Sequence, residues 1–204
     1  TGGNNIPKVR TDTMEQVDVF TSHTAGVICI TIDNEGIFFY SGGQDSTVRK
    51  VSIDNMSQDL IFNSPLSEDI KSLAVSRDGS FLYVGGHDTP YIRKLRTSDL
   101  VEIDIFTGFN STDKYVMGLS VSLDDQFIFC GDSGGNIRKI RTLDMEQVGV
   151  NNDHGANRVF AVVLSTDGQF LISGGRDENV RKIKTEDMSQ EGVFTGHGSS
   201  IEAL

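Results

Sequence analysis

No tryptophan occurs in this sequence, cysteine occurs only twice, and no apolar run approaches the ~18 residues that mark a membrane-spanning helix. Basic residues are also short, with 18 Lys and Arg against 29 Asp and Glu and a net charge of −11. Each shortage excludes something. Without a long apolar run no membrane insertion is expected. Without clustered Lys and Arg, nucleic acid and anionic membrane are poor partners, because phosphate binding rests on such clusters. Cys29 and Cys130 fall at different positions of non-adjacent segments, so free buried thiols are expected rather than a disulfide. Reduced thiols suit a cytoplasmic location. The sequons at Asn55 and Asn110 arise too readily by chance to outweigh that. No Cys and His spacing suggests zinc, and no Gly-rich loop joins a strand to a helix, so neither metal nor cofactor is expected. No signal peptide is visible; the chain starts at Thr1 and ends inside a strand pattern, which reads as a segment of a longer chain with further repeats or domains.

What is abundant is glycine, at 22 residues, clustered at the same turn of a repeated unit. The clearest copy runs from His154 to Lys184. It holds three β-type runs, VFAVVLS, QFLISGG and NVRKIK, separated by Asp167-Gly168 and by Arg176-Asp177-Glu178. The lysine inside the third run recurs at Lys8, Lys50, Lys94, Lys139 and Lys182, at intervals of 42, 44, 45 and 43 residues. First runs begin at Val27, Ile70, Val116 and Val159, and a fifth opens as IEAL at Ile201. A weaker fourth run, such as VDVFTSH or EIDIFTG, precedes each new unit. Four short strands at a period of about 40–45 residues predict a β-propeller of four-stranded antiparallel blades. Blades are expected at 24–63, 66–108, 114–151 and 155–195, with one incomplete blade shared by the two termini, all in a single domain spanning 1–204.

These units resemble WD repeats over essentially the whole chain. Gly196-His197 reproduces that family's Gly-His before the first strand, and His23 and His154 keep the histidine. Ser41 and Ser173 match the hydroxyl ending the second strand, while Asp45, Asp88 and Asp177 match the turn aspartate before the third. Val51, Leu95, Ile140 and Ile183 stand where the family has tryptophan, and the second and third repeats depart further, with Val84 and Cys130 at the serine and Gly134 at the aspartate. The resemblance implies a buried network of His23, Ser41 and Asp45, of His154, Ser173 and Asp177, and of His197 in the last copy, tying the loop before strand one to the turn before strand three. A His, Ser and Asp together could instead activate a hydroxyl, but a catalytic trio is not needed once per repeat, so no catalytic residue is assigned.

Arg49-Lys50, Arg93-Lys94, Arg138-Lys139 and Arg181-Lys182 could form a basic ring for phosphate. Neighbouring strand residues point to opposite faces, however, so the pairs are expected to cement adjacent blades, their heads reaching carboxylates such as Asp54, Asp99, Asp144 and Asp187. Asp33-Asn34-Glu35-Gly36 and Asp124-Asp125 resemble fragments of calcium loops but lack the ligand series, and read as hairpin turns. The expected function is a non-enzymatic scaffold for protein or peptide partners. Its binding positions should be those that change chemistry between repeats: Gln44, His87, Ser133 and Arg176 before the third strand, and Lys71, Met117, Phe160 and Glu202 on the first. The alternative is an enzymatic propeller, lactonase-like or another hydrolase, with its site at the channel mouth.

Overall fold

A computed structural model describes residues 3–87, 90–110 and 113–204, and within them every regular element is a β-strand. The chain opens with β1 (Ile6–Val9) and β2 (Gln16–Phe20), which pair with each other alone. Four antiparallel sheets of four strands follow in sequence order. Sheet one holds β3 (Val27–Ile32), β4 (Phe38–Gly43), β5 (Thr47–Ser52) and β6 (Gln58–Asn63). Sheet two holds β7 (Ile70–Val75), β8 (Phe81–Gly86), β9 (Ile92–Arg96) and β10 (Glu102–Phe106). Sheet three holds β11 (Val116–Val121), β12 (Phe127–Asp132), β13 (Ile137–Arg141) and β14 (Glu146–Asn151). Sheet four holds β15 (Val159–Leu164), β16 (Phe170–Gly175), β17 (Val180–Lys184) and β18 (Gln190–Phe194).

Each sheet is a meander because its runs alternate with turn chemistry. In sheet two the Ser76 hydroxyl donates to Asp78 at 2.6 Å and accepts from the Phe81 amide at 2.9 Å, closing the first hairpin. Ser122 with Asp124 and Ser165 with Asp167 repeat the device in sheets three and four. The acidic turns are therefore hairpin tethers, and among the described residues no three His, Cys, Asp or Glu side chains converge as a metal site.

The apolar cores lie between sheets, not inside them. Tyr40 and Val48 of sheet one pack with Ile70, Leu73 and Leu82 of sheet two. Tyr83 and Ile92 meet Val116 and Ile128 across the next junction, and Phe129 and Ile137 meet Val159 and Leu171 across the third. Phe20 of β2 packs in the same way on Phe39 and Val51. The first strands β3, β7, β11 and β15 are neighbours in that order, so each sheet presents its first strand to its successor and its fourth strand outward. Close approach at each junction requires glycine: Ile70 lies over Gly42, Val116 over Gly85 and Val159 over Gly131, where any Cβ would collide. Such sheets are consistent with the blades of a propeller-like fold.

The lysine of each third strand spans a junction. Lys50 donates to the Thr97 carbonyl at 3.2 Å, Lys94 to Thr142 at 2.8 Å and Lys139 to Thr185 at 2.7 Å. Lys8 of β1 does the same to Ile53 of sheet one at 2.8 Å. Each sheet-borne ammonium also rests on a phenylalanine ring of its own second strand, Phe38, Phe81, Phe127 or Phe170. The paired arginines stay at home: Arg49, Arg138 and Arg181 donate to Gln58, Gln147 and Gln190 of their own fourth strands, and Arg93 pairs with Glu102. Two expectations change here. Among the described residues of the Arg-Lys pairs only the lysines reach another sheet, and their acceptors there are carbonyls rather than the carboxylates of Asp54, Asp99, Asp144 and Asp187, of which Asp99 and Asp144 bind Arg96 and Arg141 instead.

The blade expected to be shared by the termini is not closed. Ile201–Leu204 forms no strand and does not pair with β1 and β2. Ile201 is nonetheless buried over Gly174, and its amide donates to the Gly175 carbonyl at 3.0 Å, as a next first strand would begin.

Candidate interaction surface

The sheets share two ends. At one lie the hairpins between first and second strands; at the other, the turn face, lie the second-to-third turns and the loops entering each first strand. In sheet one His23, from the entering loop, reaches both Asp45 (2.9 Å from Nδ1) and Ser41 (2.8 Å from Nε2). Nδ1–H donates to the carboxylate, so Nε2 accepts from the serine hydroxyl. Asp45 also accepts from the Thr47 hydroxyl at 2.8 Å and the Thr24 amide at 3.0 Å. Sheet four repeats this through His154, Asp177 and Ser173 at 2.8 and 2.9 Å. Burial holds both histidines below their usual pKa, outweighing the aspartates that pull the other way. Burial opposes ionisation of Asp45 and Asp177, yet their hydrogen bonds together keep both carboxyls below the usual range. The trio is thus a neutral imidazole clamped between a carboxylate and a hydroxyl, with no room for a substrate at the shielded serine. His197 is placed differently, exposed and edge-on to Phe194 at 5.5 Å.

Sheets two and three carry the same loop-to-turn tie in other residues, which the sequence reading missed. In sheet two the buried Glu68 of the entering loop accepts from Tyr91 at 2.6 Å and from Ser64 at 2.7 Å. Asp88, the sequence counterpart of Asp45, lies outside the described residues. In sheet three Arg138 bridges Asp113 of the loop and Asp132 of β12, both at 2.8 Å, and Asn136 bonds Asp132. The usable signal was an acid in each entering loop, at varying distance from the strand.

These ties fix the turn face beneath its variable residues. Gln44 and Arg176 are exposed, and their amides are held by Gly26 and Arg158 carbonyls at 2.8 Å. Lys71 pairs with Asp69, and Met117 and Phe160 are half-buried. Ser133 spends its hydroxyl accepting from the Lys114 amide at 2.7 Å, so its role is to hold a loop. Glu202 is exposed past the last strand. His87 bridges to Tyr115, their rings 4.3 Å apart, and the Arg158 guanidinium lies 4.9 Å from the Tyr115 ring centre. One imidazole, one phenol and one guanidinium from three successive sheets thus form a row. Tyr115 and Arg158 were not among the expected residues, although the position just before each first strand (Gly26, Asp69, Tyr115, Arg158) changes as freely as those that were.

Both cysteines are free thiols, and burial pushes the Cys29 thiol up to about 12 and raises Cys130 as well, which makes them inert packing groups. Among the described residues no helix is long and apolar enough to cross a membrane.

Recurrent four-stranded sheets, latched to their successors and carrying one loop-to-turn tie each, define a protein of the blade-repeat class. The family model for the WD domain, G-beta repeat, matches residues 14–50 and 145–182, the two stretches that contain the complete His, Ser and Asp ties, and these matches support a WD-repeat assignment. No curated protein matches it. WD repeats generally serve as scaffolds for protein–protein interaction and are typically non-enzymatic.

Proposed function

We propose that this chain is a non-enzymatic platform whose turn face binds a protein or peptide partner through Gln44, Lys71, His87, Met117, Phe160, Arg176 and their neighbours. The observation that carries the reading is the contrast between layers. Beneath the surface every sheet has a hydrogen-bonded tie, although its residues differ; above it the exposed side chains change chemistry from sheet to sheet. A rigid base under variable turns is what selective recognition needs, because ordering costs are met on folding and not on binding.

The same proposal takes the sheets as propeller blades, with β1 and β2 as outer strands of a blade whose first strand begins at Ile201. Lys8 latches β1 to sheet one as Lys50 latches sheet one to sheet two, and Ile201 sits on Gly174 as Ile70 sits on Gly42, which supports that reading. Further repeats or domains of a parent chain and a cytoplasmic location belong to it too, the latter supported by the two inert thiols.

The test is affinity capture with the folded chain, followed by quantification of each captured partner on variants. Arg176→Glu and Phe160→Ala should weaken the partner by at least about 1 kcal/mol with an unchanged circular dichroism spectrum. Full retention on both, with loss on Asp78→Ala or Asp167→Ala at the hairpin end, would move the site to the opposite face.

A further inference from the structure

Basic side chains are scarce in this protein, and most of them are engaged. Arg49, Arg93, Arg138 and Arg181 bind carboxylates, and Lys8, Lys50, Lys94 and Lys139 bind carbonyls of the following sheet. Lys114, Arg158 and Arg176 do neither among the described residues, as is also true of Arg77 and Lys184 at the hairpin end, but these three lie together on the turn face. The Arg176 amide is bonded to the Arg158 carbonyl, Arg158 lies over Tyr115, and Lys114 precedes Tyr115, both of their amides held by Ser133. The acids nearest them are largely spoken for: Asp113 is buried against Arg138, and Asp153 accepts from Asn151 at 2.5 Å. Glu178 and Glu202 border the strip on its C-terminal side. Met117 and Phe160, half-buried, follow Tyr115 and Arg158 by two residues.

We propose that the strip of Lys114, Tyr115, Arg158 and Arg176 binds an acidic peptide segment of a partner protein, with carboxylates on the two guanidiniums and an apolar side chain against Tyr115 and Phe160. This names the partner class for the turn face and rests on the platform reading above. A guanidinium presents a planar fork matched to a carboxylate, and one already resting on an aromatic ring loses less freedom on binding. The overall charge of −11 decides the size of the ligand. At physiological salt a charge is felt over roughly 8 Å, so a short acidic segment meets mainly the local cations, whereas an extended polyanion such as nucleic acid also meets the acidic surroundings.

The probe is a fluorescein-labelled peptide, Glu-Glu-Phe-Glu-Glu-Glu, titrated with the whole chain by fluorescence anisotropy. Comparison arms are the same peptide with Gln for every Glu, and a single-stranded oligothymidine. The Glu peptide should bind at least about tenfold more tightly than the Gln peptide, and weaken as salt is raised from about 50 to about 500 mM. Arg158→Ala with Arg176→Ala should remove at least about tenfold of that affinity, and Arg158→Lys should restore only part of it. Arg77→Ala and Lys184→Ala, which remove cations at the hairpin end, should change nothing. Equal binding of the Gln peptide, tighter binding of the oligonucleotide, or an unaffected double variant overturns the proposal; the peptide and salt arms need only the native chain. If the Glu peptide fails to bind while Phe160→Ala still releases a captured partner, the acidic inference falls and the platform stands. If Phe160→Ala and Arg176→Glu both retain that partner, the platform falls as well.

Discussion

Asp45 accepts hydrogen bonds from an imidazole, a hydroxyl and an amide within one buried turn, so truncating it leaves several donors without a partner. Asp45→Ala and Asp177→Ala are each expected to cost about 1–3 kcal/mol in urea titrations. Glu68→Ala should cost as much, because Glu68 does in sheet two what those aspartates do in sheets one and four. A negligible effect at Glu68 would show that sheet two is held by packing alone. The histidines add a pH dependence whose sign follows from their depressed pKa values. A folded-state pKa below the unfolded one means that the unfolded chain takes up the proton first. Stability is therefore full above about pH 6.5, the unfolded value, and is lost as pH falls through the lower folded value. Asp45 and Asp177, also depressed, add a second loss below about pH 4 with the same sign. The double variant His23→Gln with His154→Gln should start less stable yet lose less between pH 7 and about pH 5, as read by thermal melts.

At the scale of strands, Lys139 and Lys182 occupy equivalent positions with unequal partners. Both ammoniums rest on a phenylalanine ring, but Lys139 also reaches the Thr185 carbonyl across a junction, whereas Lys182 adds only Glu191, in a pair that is about two-fifths exposed on each side. Lys139→Met, which keeps the stem but loses the ammonium, should cost about 1–2 kcal/mol, and Lys182→Met less than about 1. Equal losses in denaturant titrations would remove the latch as an energetic feature. The strand pattern itself was legible in the sequence because alternation and Asp-Gly turns are local signals, and the order and number of runs per repeat follow from them. What each arginine and lysine does was half legible. Their opposite directions follow from the pleat, but the acceptors lie about forty-five residues away or across a strand pair, where no local pattern reports them. The ties of sheets two and three were hidden for a related reason: Glu68 with Tyr91, and Asp113 with Arg138, satisfy the same geometric demand with other chemistry at other offsets. A third recurrent device also went unread. Met56, Leu100, Met145 and Met188 are buried in third-to-fourth turns at positive φ, a conformation unusual for apolar side chains; their packing helps to sustain it, and the Leu100 and Met188 amides also donate to the Arg96 and Lys184 carbonyls.

For the molecule as a whole, the repeat leaves two faces that other copies of the same interface would bury. Ile28, Ile30 and Ile32 of β3 all point outward at 38–55% exposure, while Leu73 and Val162, equivalent to Ile30, are buried under the preceding sheet. Val163 and Ile172 are left partly open on sheet four, where Tyr83 and Phe129 of the equivalent strands are sealed. Sedimentation at rising concentration should therefore show self-association of this chain, reduced by Ile30→Thr with Ile32→Thr. A strictly monomeric sedimentation profile for the unaltered chain would show that its ends cover each other in solution.

The lysine latch has a direction: each sheet carries the donor for its successor and the acceptor for its predecessor. Such an array can be lengthened or shortened by whole periods without leaving a donor unmet. Excising residues 95–139 would join Lys94 to Ile140 and bring Lys94 to the place of Lys139, facing the Thr185 carbonyl. Gene duplication or deletion that copies one period, wherever its breakpoints fall, therefore yields a chain whose contacts are already correct. Differences of a few residues between periods, 42 to 45 here, fall in the loops and leave the latches in place. The interval between lysines is in this sense a unit of inheritance, its 42 to 45 residues made up by four strands and the turns between them.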